Sequence, residues 1–410
     1  MLVELVTRGQ TLKRALLSPL TSIAAATLSL ATLAIALRLG EAPALVAYGV
    51  GMSIGGILSV ILSGGSALAF ITGNLATQAA VRSFRLRFVL PVTVVATAIA
   101  SYVYSSVSGI SAIAILFGGM TAVLAISSEL EAAYLRRKLK TMSILTFEIS
   151  SRALGLALVL VTVDYSLALF IAAAVRYAGL YYSARKDPSR QLASSIRLSQ
   201  SFGPAVRPPL LASSFLYVVL DRVSFIVLPF LVDESFAGYF VAMMSGQQAV
   251  AGALASGLQT SMASRAEART EGSDQNGSSW HKKFELIVVA ASLSLAVIAL
   301  ILQAPLLIVL AIPMSADVRL MWSLIMVALP LATAARATQY SLLSGGRSGS
   351  ALVSISAAVS VILCLSIAAL LLGVWQLVVG GILAAETIAF AVGVCLLATD
   401  RRKLTPGASG

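Results

Sequence analysis

The stretch 209–231, PLLASSFLYVVLDRVSFIVLPFL, decides how the chain is read. Its apolar character is almost unbroken, and as a helix it is long enough to cross the hydrocarbon core of a bilayer, about 30 Å thick. Asp221 and Arg222 nevertheless stand side by side near its middle. A charge at that depth costs about 2.5–3.5 kcal/mol on insertion scales, so the helix must border an aqueous space or find partners for both groups. Neighbouring residues on a helix point about 100° apart. One of the two charges is therefore expected to face a lumen and the other a neighbouring helix.

The rest of the chain repeats this pattern. Of 410 residues, 58% are hydrophobic and only 11% charged, and the mean hydropathy is +0.94. A soluble domain carries about a quarter charged residues. Long apolar runs predict twelve spans, at 16–38, 44–64, 88–106, 110–130, 143–163, 165–183, 209–231, 236–262, 284–303, 319–343, 350–372 and 375–397. The runs do not alternate in polarity, which excludes a β-barrel. The apolar run that follows Gln303 reads either as an extension of the ninth span or as an interfacial turn.

The net charge of +12 would suggest nucleic acid in a soluble protein. Here the basic residues gather in every second loop, for example Arg82, Arg85 and Arg87, or Arg136, Arg137, Lys138 and Lys140. The intervening loops, GEAPA, SSVSG, TVDY, VDES, PMSADV and GVW, are short and carry almost no basic residues. This alternation points to a plasma-membrane protein with both termini in the cytoplasm, and to membrane lipid rather than nucleic acid as its neighbour. The first run has no following cleavage site, so it is expected to stay as a helix. Trp322 and Trp375 are expected at the outer boundary. Cys364 and Cys395 lie in apolar runs and are expected as buried small hydrophobes. The lone His281 sits in a polar stretch, so no metal site and no cofactor are expected. With no phosphate loop and no nucleophile triad in view, the chain does not read as an enzyme.

The longest linker, 184–208, is basic and Ser-rich, and Pro208-Pro209 suits the first turn of the helix that follows it. It divides the chain into a lobe at 1–183, a lobe at 209–403 and a disordered tail at 404–410. The end of the first span, LRLGEAPALVAYGVGMSIGG, and that of the seventh, LPFLVDESFAGYFVAMMSGQQ, share an acidic turn, an Ala/Gly/Tyr entry and a small-residue helix. Both halves start on the same side, so such a repeat is parallel, about an axis normal to the membrane. Gly51 and Gly55 have the spacing that lets helices approach closely.

Mid-membrane charges mark the candidate site. They are Glu148 and Arg152, Arg176, Asp221 and Arg222, Arg336 and Glu386. Arg176 and Glu386 sit about 15 Å from a span end, and Arg152 about 13 Å in from the basic side. Arg336 is nearer that side and could snorkel. Glu148 and Arg152, four residues apart, form a structural ion pair on one helix face. The excess of Arg suits an anion, most naturally a phosphate, which guanidinium grips as a planar fork. Arg152, Arg176 and Arg222, with Arg336 and the neutral Gln247 and Gln248, are the expected binding groups. Asp221 and Glu386 are the carboxylates available for ion coupling.

The segment LYVVLDRVSFIVLPFLVDESFAGYFVAMMSGQQAVAGALASGLQTSMASRAEA is similar to the seventh and eighth helices of Wzx-type polysaccharide (O-antigen) flippases, with Asp221-Arg222 followed by Gly238-Tyr239. AYGVGMSIGGILSVILSGGSALAF resembles the opening of the same family. The resemblance implies the MATE-like fold of the multidrug/oligosaccharidyl-lipid/polysaccharide (MOP) exporters: all-α, with two six-helix lobes in a V around a central cavity. It further implies flipping of an oligosaccharide on a polyprenyl pyrophosphate to the outer leaflet. With no nucleotide site, uphill transport needs an ion gradient, so proton or sodium coupling is expected, and other polysaccharide-assembly proteins are candidate partners. The rivals are a multidrug or cation antiporter, a lipid II flippase and a membrane glycosyltransferase or polymerase. An Arg-biased interior, twelve spans and short outer loops respectively argue against them.

Overall fold

The apolar runs fold as helices throughout the computed structural model, which describes residues 24–63, 75–137, 141–162, 164–184, 197, 208–270, 277–344 and 347–403. In chain order α1 is Ala24–Arg38 and α2 is Ala42–Ser63. α3 (Leu75–Phe84) passes through a π turn, Arg85–Val89, directly into α4 (Leu90–Ser108). α5 (Ala112–Arg137), α6 (Thr141–Thr162) and α7 (Tyr165–Ser183) complete the first half. The second half runs α8 (Pro208–Val227), α9 (Glu234–Thr270), α10 (Gly277–Ile301), a short α11 (Gln303–Val309), α12 (Ala316–Ser344), α13 (Ser348–Leu372) and α14 (Gln376–Lys403). Nearly all of the expected linker, the basic N-terminal stretch and the tail lie outside the described residues.

Local chemistry sets the ends. α8 starts on Pro208, and the Asp164 and Asp233 carboxylates accept from the main-chain N–H of Leu167 and Phe236, at 3.0 and 2.9 Å. Each satisfies an otherwise unpaired donor of a helix N-terminus. α4 and α13 stop at Gly109 and Gly373, whose φ of 75° and 68° only glycine adopts freely. The run after Gln303 becomes a separate short helix rather than an extension of α10.

Among the described residues, nine helices are long and apolar enough to cross a membrane. Three others occupy positions where spans are expected: α1, described only from Ala24, α7 and α9. α7 carries Arg176 and four tyrosines, and α9 carries Gln247, Gln248 and many small residues. Their hydropathy is lowered by the residues that face the interior.

Packing repeats between the halves. α5 touches α2, α4, α6 and α7, and α12 touches α9, α10, α13 and α14. The closest seam is α2 on α5. A Cβ on Gly51 would collide with the Ile115 carbonyl oxygen, and one on Gly55 with that of Gly119. The halves meet where α2 packs on α8 and α9. Those contacts gather toward the ends that carry the weakly basic loops: Gly238 abuts Ala42, Gly49 abuts Val241 and Phe225, and the Tyr104 hydroxyl donates to the Ile226 carbonyl at 3.0 Å. Toward the basic ends, the buried clusters around Phe84 and Leu135 and around Leu258 and Val288 are each confined to one half.

Several expectations are corrected. Cys364 and Cys395 are exposed, because the apolar outer face of such a bundle looks like a core in sequence. Trp322, six residues into α12, is 5% exposed, and its indole N–H donates to the Ala299 carbonyl at 3.1 Å, a placement that leaves its expected depth at the outer boundary untouched. Arg82 and Arg85 are not loop residues. α3 and the π turn carry them into the protein, where Arg82 pairs with Glu131 at 2.6 Å, both 3% exposed, and Arg85 donates to the Ile126 carbonyl at 2.8 Å.

Candidate functional site

Three arginines from three helices line one cavity of about 250 Å³: Arg152 on α6, Arg176 on α7 and Arg222 on α8. Small side chains such as Gly49, Ala125 and Ala173 leave the space open. Tyr48 and Tyr165, edge to face with centroids 5.2 Å apart, supply an aromatic wall, and Gln248 and several hydroxyls add neutral polar groups.

The three guanidiniums are not equivalent. Arg176 has a contact at each nitrogen: Nη1 donates to the Ser128 hydroxyl at 2.5 Å, Nη2 pairs with Glu129 at 2.9 Å, and Nε lies 2.5 Å from Glu148 as an ion pair without hydrogen-bond geometry. Arg152 has a single, longer contact, its Nε 3.4 Å from the other oxygen of Glu148. Arg222 makes no ion pair with any described residue and lies 5.6 Å from the Phe225 ring centre. The cavity therefore holds one cation without an ion pair among the described residues, one loosely held and one held by three partners. Arginine in that state is a ready acceptor site for an anion.

Asp221 turns the other way. Its carboxylate meets Arg336 on α12 at 3.2 Å, and the Arg336 Nε donates to the Tyr217 hydroxyl at 2.7 Å. Gln248 donates to the Asp221 main-chain carbonyl at 3.0 Å, which ties this helix to α9 beside the cavity. Glu386, 4% exposed, is within electrostatic reach of Asp221 and Arg336, and one of its carboxylate oxygens has no hydrogen-bond partner.

The structure thus brings Arg152, Arg176 and Arg222 together, and places Asp221, Arg336 and Glu386 in a second, buried cluster. Two expected binding groups fall outside the cavity wall. Arg336 is 9% exposed and committed to Asp221 and Tyr217, and Gln247 is 6% exposed, while its neighbour Gln248 lines the space. The expected Glu148–Arg152 pair forms, but Glu148 also reaches Arg176. Sequence reasoning missed Ser128 and Glu129. A glutamate close to the end of a span reads as an interfacial residue, and only the packing of α5 on α7 brings it to Arg176. Among the described residues, no group of three or more His, Cys, Asp or Glu side chains is placed to hold a metal ion.

This arrangement of helices is the fold seen in MATE transporters, an all-α bundle in which nine of the described helices are long and apolar enough to cross a membrane. The chain is similar over nearly its whole length to the crystal structure of the eukaryotic MATE transporter AtDTX14, with a TM-score of 0.59, 12% identity, and 95% of this chain and 96% of that chain covered. It is similar to an inward-facing multidrug resistance MATE family transporter of the MOP superfamily, with a TM-score of 0.58 and 13% identity over 97% and 100% of the two chains. It is also similar to a mutant of the Vibrio cholerae MATE transporter VcmN, with a TM-score of 0.58 and 12% identity over 96% and 97%. No protein-family model matches the chain, and no curated protein matches it significantly.

Proposed function

We propose that the protein is a transporter, not an enzyme, and that it flips a polyprenyl-pyrophosphate-linked oligosaccharide from the cytoplasmic to the outer leaflet for surface polysaccharide assembly. The observation that carries this reading is Arg222, a cation without an ion-pair partner among the described residues, in a cavity shared with Arg152 and Arg176. About 250 Å³ lies below the usual range for a drug-sized ligand, so the cavity holds the charged linkage rather than the whole glycan. A cationic drug is disfavoured by the same arginines.

In this reading, lobes at 1–183 and 209–403, joined through 184–208, rock about the site by alternating access. The basic loops and both termini are cytoplasmic. The seam of Gly238 and Gly49 is then the closed outer side, and the cavity is reached from the cytoplasm. Asp221 and Glu386 are the carboxylates on which a proton or sodium gradient could act.

Binding of farnesyl diphosphate to the purified protein in nanodiscs tests the site. Replacing Arg222 by Gln should weaken binding about tenfold or more, as expected for loss of a hydrogen bond between charged groups. Equal affinity in both proteins contradicts the reading.

A further inference from the structure

We propose that four hydroxyls of the cavity wall, on Ser29, Thr32, Thr121 and Ser151, are a set of hydrogen-bond acceptors that reads the sugar bonded directly to the cargo's diphosphate. This rests on the reading of the cavity as an anion site and adds the groups that tell a glycosylated diphosphate from one without a sugar.

The hydrogen bonds lead there step by step. A Ser or Thr hydroxyl carries one O–H donor and two acceptor lone pairs. Within a helix the O–H can return to a main-chain carbonyl three or four residues earlier. All four hydroxyls do so. Ser29 donates to the Ala25 carbonyl at 2.9 Å, Thr32 to that of Leu28 at 2.8 Å, Thr121 to that of Phe117 at 2.8 Å and Ser151 to that of Glu148 at 3.0 Å. Each has its single proton engaged, and no described residue donates to any of the four oxygens. Gln248 follows the same pattern: its amide nitrogen donates to the Asp221 carbonyl at 3.0 Å, and its amide oxygen is left to accept. These groups come from α1, α5, α6 and α9, so the pattern belongs to the cavity and not to one helix.

The guanidiniums of Arg152, Arg176 and Arg222 are the complement, since arginine has donors and no acceptor. A phosphate offers acceptor oxygens. It suits the guanidiniums and brings nothing to a hydroxyl whose proton is already placed. A cargo that matches the whole wall therefore joins an anion to a neighbouring group rich in O–H or N–H donors. On a polyprenyl diphosphate the lipid side offers only C–H, whereas a sugar on the other side offers several hydroxyls. A ligand that takes water from the acceptor oxygens without bringing donors loses those hydrogen bonds. A cavity of about 250 Å³ keeps the group next to a bound anion close to this wall.

Two kinds of probe, bound to the full-length protein in nanodiscs, test the inference. One is farnesyl diphosphate capped as its methyl ester. The other is the same diester with glucose, galactose or N-acetylglucosamine in place of the methyl group. Both carry the same charge, so their difference reads the sugar alone. Wild type should bind at least one glycosyl probe about tenfold more tightly than the methyl probe. Thr32→Val combined with Thr121→Val keeps both branched shapes and removes both acceptor oxygens. It should lose most of that preference, while the methyl probe stays within about twofold of its wild-type affinity, which also shows that the variant is folded. Thr32→Ser combined with Thr121→Ser keeps the hydroxyls and should keep the preference. The inference is overturned by a wild type that prefers no glycosyl probe, by a preference that survives the Val pair, or by equal weakening of both probes in that pair. If Arg222→Gln still weakens the methyl probe in those cases, the anion site stands. A methyl probe indifferent to Arg222→Gln overturns both.

Discussion

Asp221 and Arg222 differ by one position and carry opposite duties, because one residue step turns a helix side chain by about 100°. That much is legible in the sequence. The partners are not: Arg336 lies 115 positions from Asp221, and nothing local announces it. Arg222→Lys should restore only part of what Arg222→Gln loses in diphosphate binding, since ammonium acts as a point charge without the guanidinium fork. Asp221→Asn should leave Arg336 buried without its counter-charge and lower stability by about 3 kcal/mol, read as a fall in the thermal unfolding midpoint. Replacing Arg336 by Met as well should recover part of that loss. At the turn between α1 and α2, Glu41 accepts from the Tyr165 main-chain N–H at 3.1 Å and is 9% exposed. Burial pushes its carboxyl above the usual range, and nearby Asp164 adds to this, against the lowering effect of the hydrogen bond. A raised carboxyl pKa means the folded state holds its proton more tightly than the unfolded one. The resulting stability is fully present below the ordinary carboxylate range and is lost as pH rises through the raised value. Glu41→Gln should therefore raise the unfolding midpoint at neutral pH and leave it unchanged in acid.

Helices were legible where apolar runs are long and end on Pro, Asp or Gly, as with α8 at Pro208 and α13 at Gly373. Their ends were less so where a helix continues into charged sequence. Hydropathy falls at Arg82 and Arg85, but α3 and the π turn carry both inside, because Glu131 and the Ile126 carbonyl receive them. The same limit hid Glu129 and made Cys364 and Cys395 look buried. Lipid and protein core are equally apolar, so composition alone cannot tell an inward face from an outward one. The small-residue spacing of Gly51 and Gly55 was legible, and the structure places both against the backbone of α5. Gly55→Ala should force α2 and α5 apart and cost about 1–3 kcal/mol, measured as a lower unfolding midpoint. Gly252→Ala on α9 is the control, since a Cβ there meets nothing within 4 Å.

At the scale of the molecule, two similarly packed halves touch along α2, α8 and α9 toward one set of ends, while the buried clusters toward the other ends stay within each half. The proposed alternating access requires that seam to open. With Cys364 and Cys395 replaced by Ser, bridging Tyr104→Cys and Phe230→Cys, whose native rings meet across the seam with centroids 5.4 Å apart, by a short bifunctional methanethiosulfonate should lock the seam and halt transport, and reduction should restore it. Continued transport by the cross-linked protein would place the moving contact elsewhere. The central claim is that the cavity carries an anionic lipid-linked cargo, and reconstitution into liposomes tests it most directly. The rate at which a fluorescent sugar on polyprenyl diphosphate reaches the opposite leaflet should rise with wild-type protein and drop about tenfold or more with Arg222→Gln, while a lipophilic cation in the same vesicles moves no faster than without protein. Protein-dependent movement of the cation, with lipid-linked sugar unmoved and Arg222→Gln without effect, would contradict the account.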